Sequence, residues 1–253
     1  MGILMLDAIL ARNDLGDFRH MIEEISGSLE AEHSRLEMIV KADWRVNVEI
    51  ALEDIHVPTV HRETFHKLGI KLDSLERYGK DSIAMYTVTG ERVLKGLRAV
   101  QRYFLNVSPE QYFHLFIYPS TFLSSVGGFT YSVQECEPLL DGTLFRSTLY
   151  RPILKPGAPD LTYFFDNAAA FNKRVFEEDA EACERIGKYD ATGPLCAEEE
   201  RIKWFRQAQH IDWYFGEGGI DTYHPDALGK LDRWKRNRQL KAYYQSIVDK
   251  AGK

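Results

Sequence analysis

The stretch from Asp43 to His61 reads DWRVNVEIALEDIHVPTVH, and it places His56 and His61 five residues apart. Apolar residues at helical spacing predict a helix over 44–56, which Pro58 cannot continue. On an unbroken helix the two imidazoles would point about 140° apart, a poor arrangement for one metal ion. Because the helix is predicted to end near His56, the turn after it can swing His61 back. Both rings could then reach the same ion.

The chemistry of this pair depends on a third ligand. Neutral imidazole binds iron, zinc, copper and nickel, and no cysteine lies near His56 or His61, so a carboxylate is the natural partner. Two histidines and one carboxylate on one face of an octahedron leave three positions open, a geometry diagnostic of non-haem Fe(II) oxygenases. The same ligands also describe hydrolytic zinc sites, so hydrolysis at zinc stays open. The plain alternative is a chance pair of exposed histidines.

The rest of the chain alternates between helical and strand patterns. Residues 15–39 carry apolar residues at helical spacing and predict one or two peripheral helices. The middle of the chain is rich in β-branched and aromatic residues, interrupted by Pro119 and Gly127-Gly128, which predicts an antiparallel sheet of hairpins. This order indicates an α+β fold with helices on one face of the sheet. The predicted strands are Ser82–Thr89, Tyr112–Tyr118, Phe129–Cys136 and Thr143–Tyr150, and the later helices are Ala168–Ile186, Ala197–Gln209 and Asp226–Val248.

Composition narrows the class of protein and its partners. The net charge is −6 with both signs mixed along 253 residues, which argues against nucleic acid and anionic membranes as partners. No apolar run reaches membrane-spanning length. The odd number and wide spacing of the cysteines exclude a disulfide framework or a cysteine zinc site and indicate a reducing compartment. They are Cys136, Cys183 and Cys196. The sequence predicts a cytoplasmic protein with a single domain over 1–253.

The histidine motif resembles the catalytic-domain signature of Rieske non-haem iron oxygenase α subunits, the aromatic-ring-hydroxylating dioxygenases. In that family a helix opens with an Asn-Trp-Lys-like triplet, continues through Glu-Asn to an acidic residue, and reaches x-x-His-x-x-x-x-His. Here Asp43-Trp44-Arg45 stands for the opening and Glu49-Ile50 for Glu-Asn, with the Asn lost. Glu53 stands at the acidic position, and His56 and His61 match the two iron ligands.

The resemblance also places the third ligand. In the family it is an Asp on a downstream helix, in a Glu-Asp-x-x-x-x-Glu-like context that residues 178–184 match. The resemblance therefore implies Asp179, which lies 118 residues after His61 (179 − 61) with the predicted sheet between them. The family often has Gln where this chain has Gly187, a departure that touches no ligand. Other carboxylates qualify on chemistry alone, although most are more simply solvated helix-face charges; they are Glu177, Glu178, Glu184, Asp190 and Asp212.

The resemblance implies a fold and a function. The fold would be a helix-grip (START/SRPBCC-like) fold, an antiparallel sheet packed against a long C-terminal helix. We expect a peripheral helical or connecting segment at 1–40, an iron-binding core at 41–215 and a C-terminal helical extension at 216–253. The cofactor would be mononuclear Fe(II), used with O₂ to hydroxylate or oxidatively demethylate a small organic substrate. Glu53, beside His56, would be the electron-transfer bridge.

Complete α subunits of that family also carry a Rieske domain, whose [2Fe–2S] cluster needs Cys-x-His and Cys-x-x-His pairs. No histidine lies within three residues of any cysteine here, so these 253 residues hold no such cluster. We expect a Rieske [2Fe–2S] protein and a reductase to act in trans, in a homotrimer or mixed oligomer. Met1 favours a naturally separate catalytic chain over a truncated one. A non-catalytic subunit or ligand-binding module on the same fold is the alternative, and the substrate is not specified.

Overall fold

The structure is a computed structural model that describes residues 15, 18–196 and 199–215. The chain divides into two compact units, residues 1–190 and 191–253. This boundary falls inside the predicted core at 41–215, and a single domain over 1–253 stays a prediction. The helices are α1 (Phe18–Ser28), α2 (Trp44–Leu52), α3 (Val57–Val60), α4 (Glu91–Val100), α5 (Thr162–Ile186) and α6 (Glu200–Phe215). The strands are β1 (Leu29–Val40), β2 (Ile70–Tyr78), β3 (Asp81–Val88), β4 (Gln111–Ile117), β5 (Thr121–Val126), β6 (Tyr131–Leu139) and β7 (Gly142–Pro152).

A seven-stranded antiparallel sheet forms the centre of the first unit, in the order β1-β7-β6-β5-β4-β3-β2. Strands β2 to β7 form a meander in which each strand pairs with the next. The predicted α+β class with an antiparallel sheet is confirmed. The four predicted strands correspond to β3, β4, β6 and β7. Strands β2 and β5 have no counterpart in the sequence prediction.

Strand β1 corrects the prediction for the N-terminal segment. Residues 29–40, which belong to the segment 1–40 predicted as helical or connecting, pair with β7 at the edge of the sheet. The segment is rich in Leu, Glu, Ala, Arg and Met, which are strong helix formers. However, its burial alternates along the strand: Leu36 is half-buried, Glu37 is exposed, and Val40 is fully buried. Pairing with β7 therefore outweighs intrinsic helix propensity in this segment.

Helices cover both faces of the sheet, whereas the sequence predicted them on one face. On one face Ile22 of α1 packs with Leu115 and Leu123 of the central strands. On the opposite face Ile50 of α2 packs with Cys183 of α5. Strand β4 is buried at consecutive positions, which requires cover on both sides of the sheet. The early helix α1 supplies the cover that the prediction lacked.

The long helix on the sheet is α5, whose 25 residues contact β1 and α2. It contains the predicted helix 168–186 and carries Asp179. The second unit contains α6, which overlaps the predicted helix 197–209. The predicted helix 226–248 and extension 216–253 lie outside the described residues, and the helix-grip name stays a prediction. Within the described part of the chain, no helix has the length and apolar character needed to cross a membrane.

Candidate metal centre

Helix α2 is fixed at its start to both the sheet and the end of α5. Asp43 caps the helix, because its carboxylate accepts the backbone N–H of Arg45 at 2.9 Å. The backbone N–H of Asp43 donates to the carbonyl oxygen of Gly187, the residue after α5, at 2.9 Å. The buried amide of Asn47 donates to the hydroxyl of Thr143 in β7 at 3.1 Å. These contacts set the position of the histidine segment relative to α5.

Helix α2 ends at Leu52, earlier than the predicted end near His56. Glu53 is extended, with φ −124° and ψ 161°, and its carboxylate accepts the backbone N–H groups of Ile55 and His56. A carboxylate that binds these amides competes with continuation of the helix. The sequence predicted a helix over 44–56 that contains both Glu53 and His56. In the structure the two residues therefore do not lie on one helical turn. The side chain still reaches the ring, and Glu53 Oε1 lies 2.5 Å from His56 Nδ1.

The two histidines stand at either end of the single-turn helix α3. Pro58 lies in its first turn, where backbone N–H groups make no hydrogen bond within the helix, so the missing N–H of proline costs no hydrogen bond there. The backbone N–H of His61 donates to the carbonyl of Val57 at 3.1 Å and closes the turn. Both rings turn to the same side, so His56 Nε2 lies 3.1 Å from His61 Nε2. The predicted return of the chain after Pro58 is thus present in the structure.

Asp179 of α5 joins the two rings. Its Oδ1 lies 2.8 Å from His61 Nε2 and 3.4 Å from His56 Nε2. Two atoms about 2.1 Å from one metal ion are about 3.0 Å apart at octahedral angles and about 3.4 Å apart at tetrahedral angles. The three atoms therefore form a triangle the size of one face of a coordination polyhedron. This donor set fits Fe(II) or Zn(II), although the triangle alone does not select between them.

A carboxylate holds the second ring nitrogen of each histidine. Glu53 Oε1 lies 2.5 Å from His56 Nδ1, and Glu178 Oε2 lies 2.8 Å from His61 Nδ1. Because an ionised carboxylate only accepts hydrogen bonds, it keeps a proton on Nδ1 and leaves Nε2 free to bind a metal. From the sequence alone, Glu178 is predicted only as a rival ligand or a solvated charge. Its contact with His61 depends on how α5 packs, and no spacing in the sequence reports that.

The electrostatics of the cluster favour a bound cation. Burial alone would lower the pKa of His56, but hydrogen bonds to Asp179 and Glu53 outweigh it and raise the pKa to about 9. Burial would also lower the pKa of His61, but Asp179 and Glu178 together outweigh it and raise that pKa. Burial would raise the pKa of Asp179, but hydrogen bonds from both imidazoles hold that pKa below its usual value. Either protons or a metal ion can balance the three carboxylates of the cluster.

A narrow cavity of about 30 Å³ adjoins Asp179 between the sheet, α2 and α5. Its walls are mainly apolar and include Phe122 and Phe176, with the amide of Gln134 as a polar contribution. The cavity has room for one or two water-sized molecules. A second cavity, of about 200 Å³, lies along β1, β7 and α5, and Phe176 borders both.

The other candidates from the sequence have different surroundings. Glu177 is exposed beside Lys173, and Glu184 accepts the backbone N–H of Lys41. His66, a further histidine five residues after His61, is exposed on the surface. Among the described residues, the group able to share one ion consists of His56, His61 and Asp179. It includes none of the rival carboxylates Glu177, Glu178, Glu184, Asp190 and Asp212.

No protein-family model and no curated protein sequence matches the chain, but solved structures do. One match is a quaternary ammonium Rieske monooxygenase, whose structure is described in terms of carnitine oxidation by gut microbiota and inter-subunit electron transfer. It aligns with a TM-score of 0.58 and 14% identity, and the alignment covers 81% of this chain and 56% of the monooxygenase chain. The quaternary ammonium Rieske monooxygenase CntA aligns with a TM-score of 0.57 in complex with inhibitor MMV12 and 0.55 in complex with L-carnitine. Both alignments have 16% identity and cover 78% of this chain, with 55% and 54% of the CntA chain respectively.

These similarities show the fold of the chain. It is the fold of Rieske oxygenase catalytic domains, an α+β architecture around an antiparallel sheet. The chain spans little more than half the length of the structures it matches, between 54% and 56%.

Proposed function

We propose that the chain is the catalytic component of a Rieske-type oxygenase. In this proposal His56, His61 and Asp179 hold a mononuclear Fe(II) ion, and O₂ is used to hydroxylate or oxidatively demethylate a small organic molecule. The observation that carries the proposal is the triangle of two Nε2 atoms and one Oδ1 atom with edges of 2.8, 3.1 and 3.4 Å. The fold supports it, because the matched structures are Rieske monooxygenases. Three ligands on one face leave positions open for O₂ and substrate.

The residues of the chain would bind, orient and shield the ion. Fe(II), when bound, would supply the oxygen chemistry. Glu53 keeps the Nδ1 proton of His56 in place, so that His56 Nε2 faces the ion. The walls of the cavity beside Asp179 are mainly apolar. That cavity has room for O₂, whereas an organic substrate needs more space, and the larger cavity beyond Phe176 offers it.

Electrons would come from a Rieske [2Fe–2S] cluster that these 253 residues do not hold, supplied by a partner and a reductase. Glu53 is the proposed bridge, since it contacts His56 directly and its neighbour Ile55 is 51% exposed. The Glu53 side chain is itself 12% exposed, so a cluster ligand on a partner subunit would have to contact that small exposed part. A homotrimer or mixed oligomer would provide that arrangement. The description of one matched structure in terms of inter-subunit electron transfer supports this part of the proposal.

Hydrolysis at zinc is the second candidate, because the longest edge of the triangle, 3.4 Å, is also the spacing of tetrahedral ligands. The ligands are then the same three side chains, and the metal alone distinguishes the two reactions. A ligand-binding module without a metal is the remaining alternative.

Metal analysis separates these functions. We expect about one iron per chain after anaerobic loading with Fe(II), and loss of that iron in His61→Ala. His66→Ala removes an exposed histidine from the same segment and should retain the metal. Zinc at one per chain that resists exchange for iron would favour hydrolysis, and a chain that binds neither metal would favour the ligand-binding module.

Oxygen uptake tests the reaction itself. The iron-loaded chain, combined with a Rieske protein, its reductase and candidate small substrates, should consume O₂ in a substrate-dependent way. Uptake should fall to the background level in Asp179→Asn. The absence of uptake with every substrate and partner, in a chain that holds iron, would contradict the oxygenase proposal.

A further inference from the structure

Both oxygens of the Glu178 carboxylate contact side chains of other residues. Its Oε2 accepts hydrogen bonds from His61 Nδ1, at 2.8 Å, and from the hydroxyl of Thr64. Its Oε1 lies 3.4 Å from Arg174 Nε, one helical turn earlier in α5. His61 and Thr64 are each only 2% exposed, so two of the three donors are shielded from water. A carboxylate held in this way has little freedom to rotate into solvent.

Consecutive residues of α5 hold the two edges of one imidazole. Glu178 contacts His61 Nδ1 and Asp179 contacts His61 Nε2, each at 2.8 Å. Rotation of the ring about its Cβ–Cγ bond would break both contacts. A metal ion that replaces the contact with Asp179 would leave the contact with Glu178 unchanged. The orientation of His61 is therefore set by two contacts, and one of them does not depend on the ion.

His56 is oriented in a different way. Its partner Glu53 lies three residues earlier, and the same carboxylate binds the backbone N–H groups of Ile55 and His56. The orientation of His56 is thus fixed within one short loop. The orientation of His61, by contrast, depends on a residue 117 positions away in the sequence. Of the two contacts made to an Nδ1 atom, only the one on His61 requires α5 to be in place.

We propose that Glu178 is a positioning residue of the metal centre: it fixes the ring of His61, with Nε2 directed at the ion, before the ion binds. This inference rests on the proposed metal site and adds a residue outside the three ligands and the Glu53 bridge. Mutation of a carboxylate that holds a ligand histidine typically weakens metal affinity by about 10- to 100-fold. Thr64 shares the role through its hydroxyl, which holds the same carboxylate oxygen.

The test is a Co(II) titration of the metal-free protein, because Co(II) reports its coordination through visible absorption. Glu178→Gln keeps the shape of the side chain and removes its charge. We expect it to bind Co(II) about 10- to 100-fold more weakly than the wild type and with a shifted visible spectrum. Glu177→Gln is the matched control: Glu177 is adjacent, 55% exposed, and paired with Lys173 on the surface. It should leave both the affinity and the spectrum unchanged.

Thr64→Val provides an independent variant, since it removes the hydroxyl donor to Glu178 and keeps the volume of the side chain. Loss of one hydrogen bond predicts about 5-fold weaker Co(II) binding. If Glu178→Gln does not fold by circular dichroism, the result for Thr64→Val decides. Wild-type affinity and spectrum in every folded variant of Glu178 and Thr64 would overturn the positioning role and leave the metal site intact. A wild-type chain that binds no Co(II) would overturn the metal site itself, and the positioning role with it.

Discussion

The backbone N–H of Asp43 and the carbonyl oxygen of Gly187 form a hydrogen bond of 2.9 Å. It joins the start of α2 to the end of α5, the two helices that lead to the histidines and to Asp179. The backbone of Gly187 has φ 68° and ψ −68°, a conformation that L side chains rarely adopt. The glycine at this position, where the resembled family often has Gln, therefore lets α5 end and turn back toward Asp43.

Gly187→Ala should lower the free energy of unfolding by about 1–2 kcal/mol, because the positive φ is strained for alanine. The cost is conformational, since an added Cβ would meet Glu184 O at 3.7 Å, an ordinary contact distance. Urea unfolding of the metal-free protein measures it. Gly96→Ala, in an open position of helix α4, is the control and should stabilise the protein by up to about 1 kcal/mol. Changes of equal sign and size in the two variants would contradict the argument.

The apparent affinity for Co(II) should rise with pH. Metal binding requires neutral imidazole, and the pKa of His56 in the metal-free protein is raised to about 9 by Asp179 and Glu53, against the effect of burial. A proton therefore competes with the metal at neutral pH. The affinity should increase up to about tenfold per pH unit below that pKa and level off above it. Competition with a chelator across this range measures the effect, and an affinity independent of pH would refute it.

Glu53→Gln should lower the pKa of His56 in the metal-free protein. Burial favours the neutral ring and the two carboxylates favour the charged ring, so removal of one charge shifts the balance toward neutral. An NMR titration of the imidazole C–H signals measures the pKa. Glu63→Gln is the control, since Glu63 is exposed and pairs with Lys67. An unchanged midpoint for His56 in Glu53→Gln would show that the 2.5 Å contact is not made in solution.

Phe176→Ala should join the cavity beside Asp179 to the larger cavity along β1 and β7, because the ring borders both. We expect a loss of up to about 3 kcal/mol in the free energy of unfolding, since Phe176 is half-buried. The enlarged apolar space should bind xenon or benzene, as created apolar cavities do. Tyr163→Ala, a change at an 82% exposed aromatic in the same helix, should do neither. Xenon binding that is identical in wild type and Phe176→Ala would show that the two cavities are not joined.

The strongest sequence signals concerned local features. Stretches rich in β-branched and aromatic residues predicted β3, β4, β6 and β7, and Pro58 marked the turn that brings the two histidines together. The residue patterns of the motif suggested Asp179, which the structure places against both rings. These features depend on residues that are close together in the sequence, or on a motif that resembles the signature of a known family.

Features that depend on distant packing were missed. The segment 29–40 contains strong helix formers, and only its pairing with β7 makes it a strand. The sequence predicts that helix α2 continues to His56, whereas it ends at Leu52. The reason is that Glu53, which binds the backbone N–H groups of the next turn, cannot be distinguished in the sequence from a glutamate inside a helix. Glu178 looked like a surface charge because its partners, His61 and Thr64, lie more than 110 residues away along the chain.

The contact between His61 and Asp179 spans 118 positions, and strands β2 to β7 lie between them. An ion held there would act as a removable cross-link across most of the sheet. Because the unfolded chain has no preformed site, the binding free energy would add to folding stability, by about 4 kcal/mol when the free ion is at 1,000 times its Kd. If the ion is the proposed Fe(II), iron shortage in a cell would reduce the amount of the protein as well as its activity, since a less stable chain is degraded faster.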